Sequence, residues 1–168
     1  MLLVVCDATP LIYLTRLGRL GLLRQLHEAV LVPPAVGGEV AVRGSALPEG
    51  AAAQQAAKEG WLRVESPQGR LTISPTDTED LDPGETEAIQ LAIENDALLA
   101  IDEIHGRDVA LKLGVKITGT VGLLARARRE GLLPSLRAEL DRLRTETTFR
   151  LSDSVYRDAI SSVGEQAS

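Results

Sequence analysis

Aromatic side chains are nearly missing from this sequence: they make up 2% of 168 residues, and Tyr13, Trp61, Phe149 and Tyr156 are all there are. Four scattered rings argue against an aromatic platform for stacking single-stranded nucleic acid. They also leave Leu, Val, Ile and Ala to build the core. Cysteine occurs once, at Cys6, which excludes an internal disulfide and a cysteine-rich zinc site. Set in an apolar run, Cys6 reads as a small buried hydrophobe. The two histidines, His27 and His105, lie far apart and fit no zinc motif. No apolar stretch approaches the roughly 20 residues that span a bilayer. The opening run lacks a basic flank and stops at Asp7, too short for a signal peptide. The expectation is a soluble, cytoplasmic protein with no membrane partner. An excess of base is missing too. With 24 acids against 18 bases and a net charge of −6, overall charge does not hold nucleic acid. Phosphate chemistry would need a metal or a local arginine patch. Finally, no GxSxG elbow, GxxxxGK loop or strand-borne GxGxxG is present, which speaks against a serine hydrolase, a P-loop NTPase and a dinucleotide-binding site.

The length suits one domain with a real core. Short apolar runs alternate with helical patterns along it. Strands are expected at 2–6, 29–33, 61–66, 97–101 and 115–117. Between them lie helical patterns at about 9–17 (Thr9 as cap and Pro10 first in the helix), 20–27, 34–44, 47–60, 82–96, 104–114, 120–131 and 133–146. Gly37 and Gly38 are expected to break or weaken the third of these. A further short strand at 71–73 and a short helix in the tail from Ser152 complete the reading. Alternation of this kind implies an α/β layer fold with a mostly parallel sheet.

Two of the apolar runs end on a carboxylate: "LLVVC" runs into Asp7 and "ALLAI" into Asp102. In open α/β sheets, ligands bind beyond the carboxyl ends of the strands, near a topological switch point. If these two strands are neighbours, the two acids converge. A hard divalent cation would relieve their repulsion. The plainer alternative is that both are helix caps or turn residues, which Asp favours. Glu85 stands three residues after Asp82, with Pro83 between them. That is a capping-box spacing, and spacing alone favours it. Glu39, in "VGGEVAV", reads from spacing as a residue facing water. Asp77, Glu79, Asp80 and Asp82 read as solvated loop acids, and Glu87 as a solvated helix residue. Thr118, Gly119, Thr120 and Gly122 suggest either an anion-binding turn at a helix start or simply a flexible strand-to-helix turn.

Three stretches, "VVCDATPLIYLTRLGRLGLL", "VLVPPAVGGEV" and "DPGETEAIQLAIENDALLAIDEIHGRDVALKLGVKITGTVGLLARARREGLL", occur in an order that resembles the PIN-domain family. The likeness is to its branch of short prokaryotic proteins once catalogued as a domain of unknown function, and it covers about residues 3–133. The resemblance implies a three-layer α/β/α domain over 1–146 with a central mostly parallel sheet, and a tail or short helix over 147–168. It implies a Mg²⁺- or Mn²⁺-dependent ribonuclease site built from Asp7, Glu39, Glu85 and Asp102. Where the branch often has a second Asp after Asp102, this chain has Glu103. Glu103, Asp108 and Thr118 are the candidates for a further site residue. Arg16, Arg19, Arg43 and Arg107 follow the motifs and are candidates for holding RNA, with ordinary surface charge as the alternative. PIN proteins of this size are often toxins of toxin–antitoxin pairs, so a small antitoxin partner is expected. A homodimer is expected as well, with Leu123, Leu124, Leu136, Leu140 and Leu143 as exposed stripes at its interface. The competing classes are a PIN-like binding module without nuclease activity, and a carboxylate-metal phosphatase or DNA nuclease.

Overall fold

The computed structural model describes residues 2–44, 48–70 and 79–166. Five strands form its sheet: β1 (Val4–Cys6), β2 (Val30–Val32), β3 (Leu62–Val64), β4 (Leu98–Ala100) and β5 (Ile117–Thr118). All pairings are parallel, in the order β3-β2-β1-β4-β5. The connecting helices are α1 (Ala8–Arg16), α2 (Gly21–Leu26), α3 (Pro34–Gly44), α4 (Pro48–Lys58), α5 (Pro83–Glu94), α6 (Ile104–Lys112) and α7 (Thr120–Arg129). Two more, α8 (Leu136–Glu146) and α9 (Asp153–Ser162), close the chain.

Side chains alternate across the strands, as their pleat requires, and so feed two cores. Val4, Cys6, Val30, Val32 and Ala100 face one core, together with Leu14, Leu23, Leu124 and Leu140. Val5, Leu31, Leu99 and Ile101 face the other, with Ile89, Leu91 and Val109. The sheet therefore lies between two helical layers, the three-layer α/β/α arrangement expected. The chain builds outward from β1 to β2 and β3, then returns to lay β4 on the other flank of β1. That reversal is a topological switch point between β1 and β4, in register with Cys6 opposite Ala100.

Several details differ from the sequence expectation. Helix α1 begins at Ala8 with Asp7 in the cap position, so Thr9 is no cap. Pro10 still falls among the first helical positions, where no intrahelical N–H bond is lost. Helix α3 runs unbroken through Gly37 and Gly38. Val36 and Val40, four apart on one face, are buried in the core, and this packing outweighs the poor helix propensity of glycine. Strand β5 is Ile117–Thr118, displaced toward the helix that follows. The five leucines expected to form exposed stripes on α7 and α8 are each at most 1% exposed. They are core, because α7 packs against β5, and α7, α8 and α9 pack against one another. The strand expected at 71–73, and Asp77, lie outside the described residues. Among the described residues no helix is long and apolar enough to cross a membrane.

Candidate active site

Asp7 sits where β1 becomes α1. Its N–H donates to the carbonyl of Ala100 on β4 (3.0 Å), which locks the two strand ends together. It occupies the cap position of α1 without a side-chain cap bond, so the plain capping role does not account for its carboxylate. The residue is only 5% exposed. Burial pushes its pKa up; the N–H of Ala8 works against this; the carboxylates of Glu85, Asp82 and Glu39 push it further, to about 7. Glu39, half-buried on α3, thus acts on Asp7 electrostatically, unlike the water-facing residue that spacing suggests.

Glu85 combines both of its sequence readings. It completes a reciprocal capping box: its N–H donates to Asp82 Oδ1 (2.7 Å), and its own Oε2 accepts from the Asp82 N–H (2.9 Å). It is also 5% exposed. Burial raises its pKa, opposed by the Asp82 N–H; Asp82 and Glu103 raise it further, and His105 lowers it. Glycines keep this region open. A Cβ on Gly84 would come 3.3 Å from Asp82 Oδ1 and 3.7 Å from Asp7 Oδ1, and one on Gly106 would come 3.4 Å from Glu85 Oε1.

Asp102 follows β4. Its Oδ1 accepts from the Thr120 N–H (2.9 Å) and its Oδ2 from the Thr120 hydroxyl (2.6 Å). The anion held at the start of α7 is therefore the protein's own carboxylate. Burial raises the pKa of Asp102, while Thr120 and then Arg107 hold it back. Arg107 does not reach outward. Its Nη1 donates to the carbonyls of Ile101 (2.7 Å) and Thr118 (3.2 Å), tying the ends of β4 and β5. Gly119 is required here, since a Cβ would fall 2.6 Å from Asp102 Oδ1 and 3.0 Å from Arg107 Nη1. Cys6 lies beneath both strand ends. Burial, then the charges of Asp7 and Asp102, drive its thiol pKa far up, so it stays an inert thiol.

The expected acids lie on four separate segments, with Asp7 and Asp102 at the C-terminal ends of the adjacent strands β1 and β4. Asp7, Glu39 and Glu85 form one group; Asp102 adjoins it through Cys6 and through Glu103, which acts on both Glu85 and Asp102. Among the described residues, no three His, Cys, Asp or Glu side chains close on one point as a ready metal cage. The donor chemistry nevertheless fits a divalent cation of the Mg²⁺ type. Every donor is a carboxylate oxygen, and Asp7, raised to about 7 by burial and then by its acidic neighbours, has no positive charge among the groups that shift it.

A family model described as a PIN domain matches residues 3–165. The chain belongs to the PIN-domain family. Proteins of this family are generally nucleases and usually bind divalent metal ions. No curated protein matches the sequence. Among solved structures, a PilT N-terminus domain protein from the hyperthermophilic archaeon Sulfolobus solfataricus P2 is similar at 18% identity, with a TM-score of 0.49, over 74% of this chain and 92% of that one.

Of the further residues considered for this PIN domain, Glu103 and Asp108 are exposed. Thr118 packs its hydroxyl toward Gly122, where a Cβ would come 2.5 Å from Oγ1. The hydroxyl that touches a site acid belongs to Thr120, which sequence reasoning weighed only as part of a turn. Its signal was the Thr placed first in a helix directly after a strand. Arg19 is spent on the buried Glu139 (2.5 Å), and Arg16 lies over the Tyr13 ring. The side chain of Arg43 lies outside the described residues.

Proposed function

We propose that this PIN domain is a cytoplasmic, Mg²⁺- or Mn²⁺-dependent endoribonuclease and the toxin of a toxin–antitoxin pair, restrained by a small partner protein. One observation supports the reading: beside the switch point, burial and then the charges of Glu85, Asp82 and Glu39 lift Asp7 to about 7, and Asp102 ends the neighbouring strand. Asp7, Glu39, Glu85 and Asp102 would hold the ion. The bound ion would supply charge for the scissile phosphate and lower the pKa of water. Thr120 and Arg107 fix Asp102 and the strand ends, so the carboxylates arrive pre-positioned. Homodimerisation belongs to the same reading; light scattering of the purified chain is expected to give twice the 18.0 kDa chain mass, and a monomer mass would remove it.

A second reading, a binding module that keeps the acids without cutting, is favoured by the capping duty of Glu85 and by the loose gathering of the acids. Cleavage of an RNA panel with Mn²⁺, and with chelator, separates the two. Asp102→Asn is expected to lower cleavage by at least about 100-fold, while Glu103→Gln retains most of it. Wild-type cleavage by Asp102→Asn would take Asp102 out of the site. A neighbouring reading frame for a small strand-helix protein is the sign expected of an antitoxin.

A further inference from the structure

On the β5 side of Asp102 lies an open cavity of about 1000 Å³, bounded by the end of the sheet and by residues 149–155. That volume is at the upper end of the range for ligand sites. Three properties define it. Its walls are mainly apolar and include Ile104 and Val155, which are 75% and 47% exposed, with Asp102, Thr118 and Ser152 as polar lining. Its rim carries Phe149, held edge-to-face on Tyr13 with centroids 5.0 Å apart at 85°. Two of the four aromatic residues, remote in sequence, are thus joined here. The third property is charge. Arg19, Arg24, Arg126, Arg128, Arg142 and Arg144 are each neutralised by a carboxylate. Arg150, exposed at the cavity, has no ion-pair partner among the described residues. Arg107 and Asp102 both line the back of the cavity, where their charges oppose each other and Arg107 is tied to the carbonyls of Ile101 and Thr118.

We infer that this cavity holds the single-stranded RNA next to the cleaved bond, with a base against Phe149 and the apolar wall and a phosphate at Arg150. The choice of RNA rests on the ribonuclease reading above; the site itself rests on the cavity. An apolar wall with one free cation complements a nucleotide, which is apolar on its base face and anionic at its phosphate. A base enters such a cavity only when it is unstacked, so a single strand is required. Continuity with Asp102 places the occupant beside the acids. In a protein of net charge −6, an unneutralised arginine beside the acid cluster gives the strand a local anchor that overall charge does not.

The test is binding of a 5′-fluorescein-labelled oligouridylate of about ten nucleotides, followed by anisotropy with the full chain, alongside cleavage kinetics. Arg150→Glu is expected to weaken binding at least tenfold and to raise KM with kcat within about twofold, as loss of uniform binding does. Arg150→Gln is expected to reduce the slope of log affinity against log salt by about 0.7, one phosphate contact on a single strand. Val155→Trp, which fills the cavity from an exposed position, is expected to weaken binding without lowering the melting temperature. Unchanged binding and KM in all three variants of a protein that cuts RNA would overturn the cavity and leave the ribonuclease standing. Loss of binding in the variants of a protein that does not cut would support the cavity and overturn the ribonuclease. Equal affinity for the deoxy counterpart, or no binding by the wild-type chain, would overturn the inference.

Discussion

Asp7 answers to opposed demands: α1 starts on it, β4 fixes its backbone, and three acids crowd its carboxylate. Because its pKa is raised to about 7 in the fold, the folded chain keeps a proton that the unfolded chain releases near the ordinary value of about 4. Stability without metal therefore declines as pH rises from about 4 to about 7 and levels off above that. Asp7→Asn is expected to remove the largest part of the decline and leave the smaller part due to Glu85 and Asp102, whose pKa values are also raised. In urea unfolding with chelator, the variant should match wild type near pH 4 and exceed it by up to about 4 kcal/mol near pH 8. Equal pH dependence in the two proteins would mean that the carboxylate is not crowded. Gly119 makes the complementary case, in which a side chain is forbidden. Gly119→Ala puts a methyl 2.6 Å from Asp102 Oδ1, so the carboxylate must leave its two bonds to Thr120. Displacement of a site group by about 1 Å costs on the order of 100-fold in rate. Cleavage assays should show that loss, together with destabilisation of about 1–3 kcal/mol from overpacking.

The elements that carry strong local signals were legible in the sequence. Capping by Asp82 and Pro83 announces α5, and continuous apolar runs announce β1 and β4, so Asp7 and Asp102 could be set at strand ends before any geometry. What stayed hidden depends on tertiary contact. Glu39 looks like a water-facing residue until α3 brings it near Asp7. The leucines of α7 and α8 look like a free stripe until these helices pack on each other and on α9. Glu165, in a tail with no distinctive motif, gave no signal. Yet its carboxylate accepts from the N–H groups of Leu136 and Arg137 (both 2.8 Å), from the Ser135 hydroxyl and from Arg128. It thus caps α8 from 29 residues away. Burial opposes ionisation of Glu165, but these donors prevail and bring its pKa down to about 2. A lowered pKa contributes stability that is present above about pH 4.5 and lost as pH falls toward 2. Glu165→Ala is expected to destabilise the domain by about 1–3 kcal/mol near neutral pH, since charge-assisted bonds are removed. The difference from wild type should shrink in denaturant titrations at acid pH. A variant as stable as wild type near pH 7 would show that the tail does not brace α8.

At the scale of the whole molecule, the acids are a liability that the fold tolerates and an ion would remove. Two helical layers bury the sheet, while the switch point collects negative charge at one edge, in a chain already at −6. Anything that binds the folded chain and not the unfolded one raises stability by mass action, about 2.7 kcal/mol at a ligand concentration 100 times Kd. For a domain of this length each kcal/mol moves Tm by roughly 2–4 °C. Saturating Mn²⁺ should therefore raise Tm by about 5–10 °C in calorimetry. The same concentration of an alkali cation should not, because screening alone acts weakly on buried carboxylates. Asp7→Asn and Asp102→Asn should each cut the Mn²⁺ shift while leaving the metal-free Tm equal or higher, since each removes charge from the crowd. Glu165→Ala lowers the starting Tm but should keep the full Mn²⁺ shift, because Glu165 braces α8 and lies apart from the acids. That contrast separates loss of the site from loss of the fold. A melting curve unmoved by Mn²⁺ in the wild-type chain would mean that the four acids hold no ion, and the module reading would then replace the nuclease.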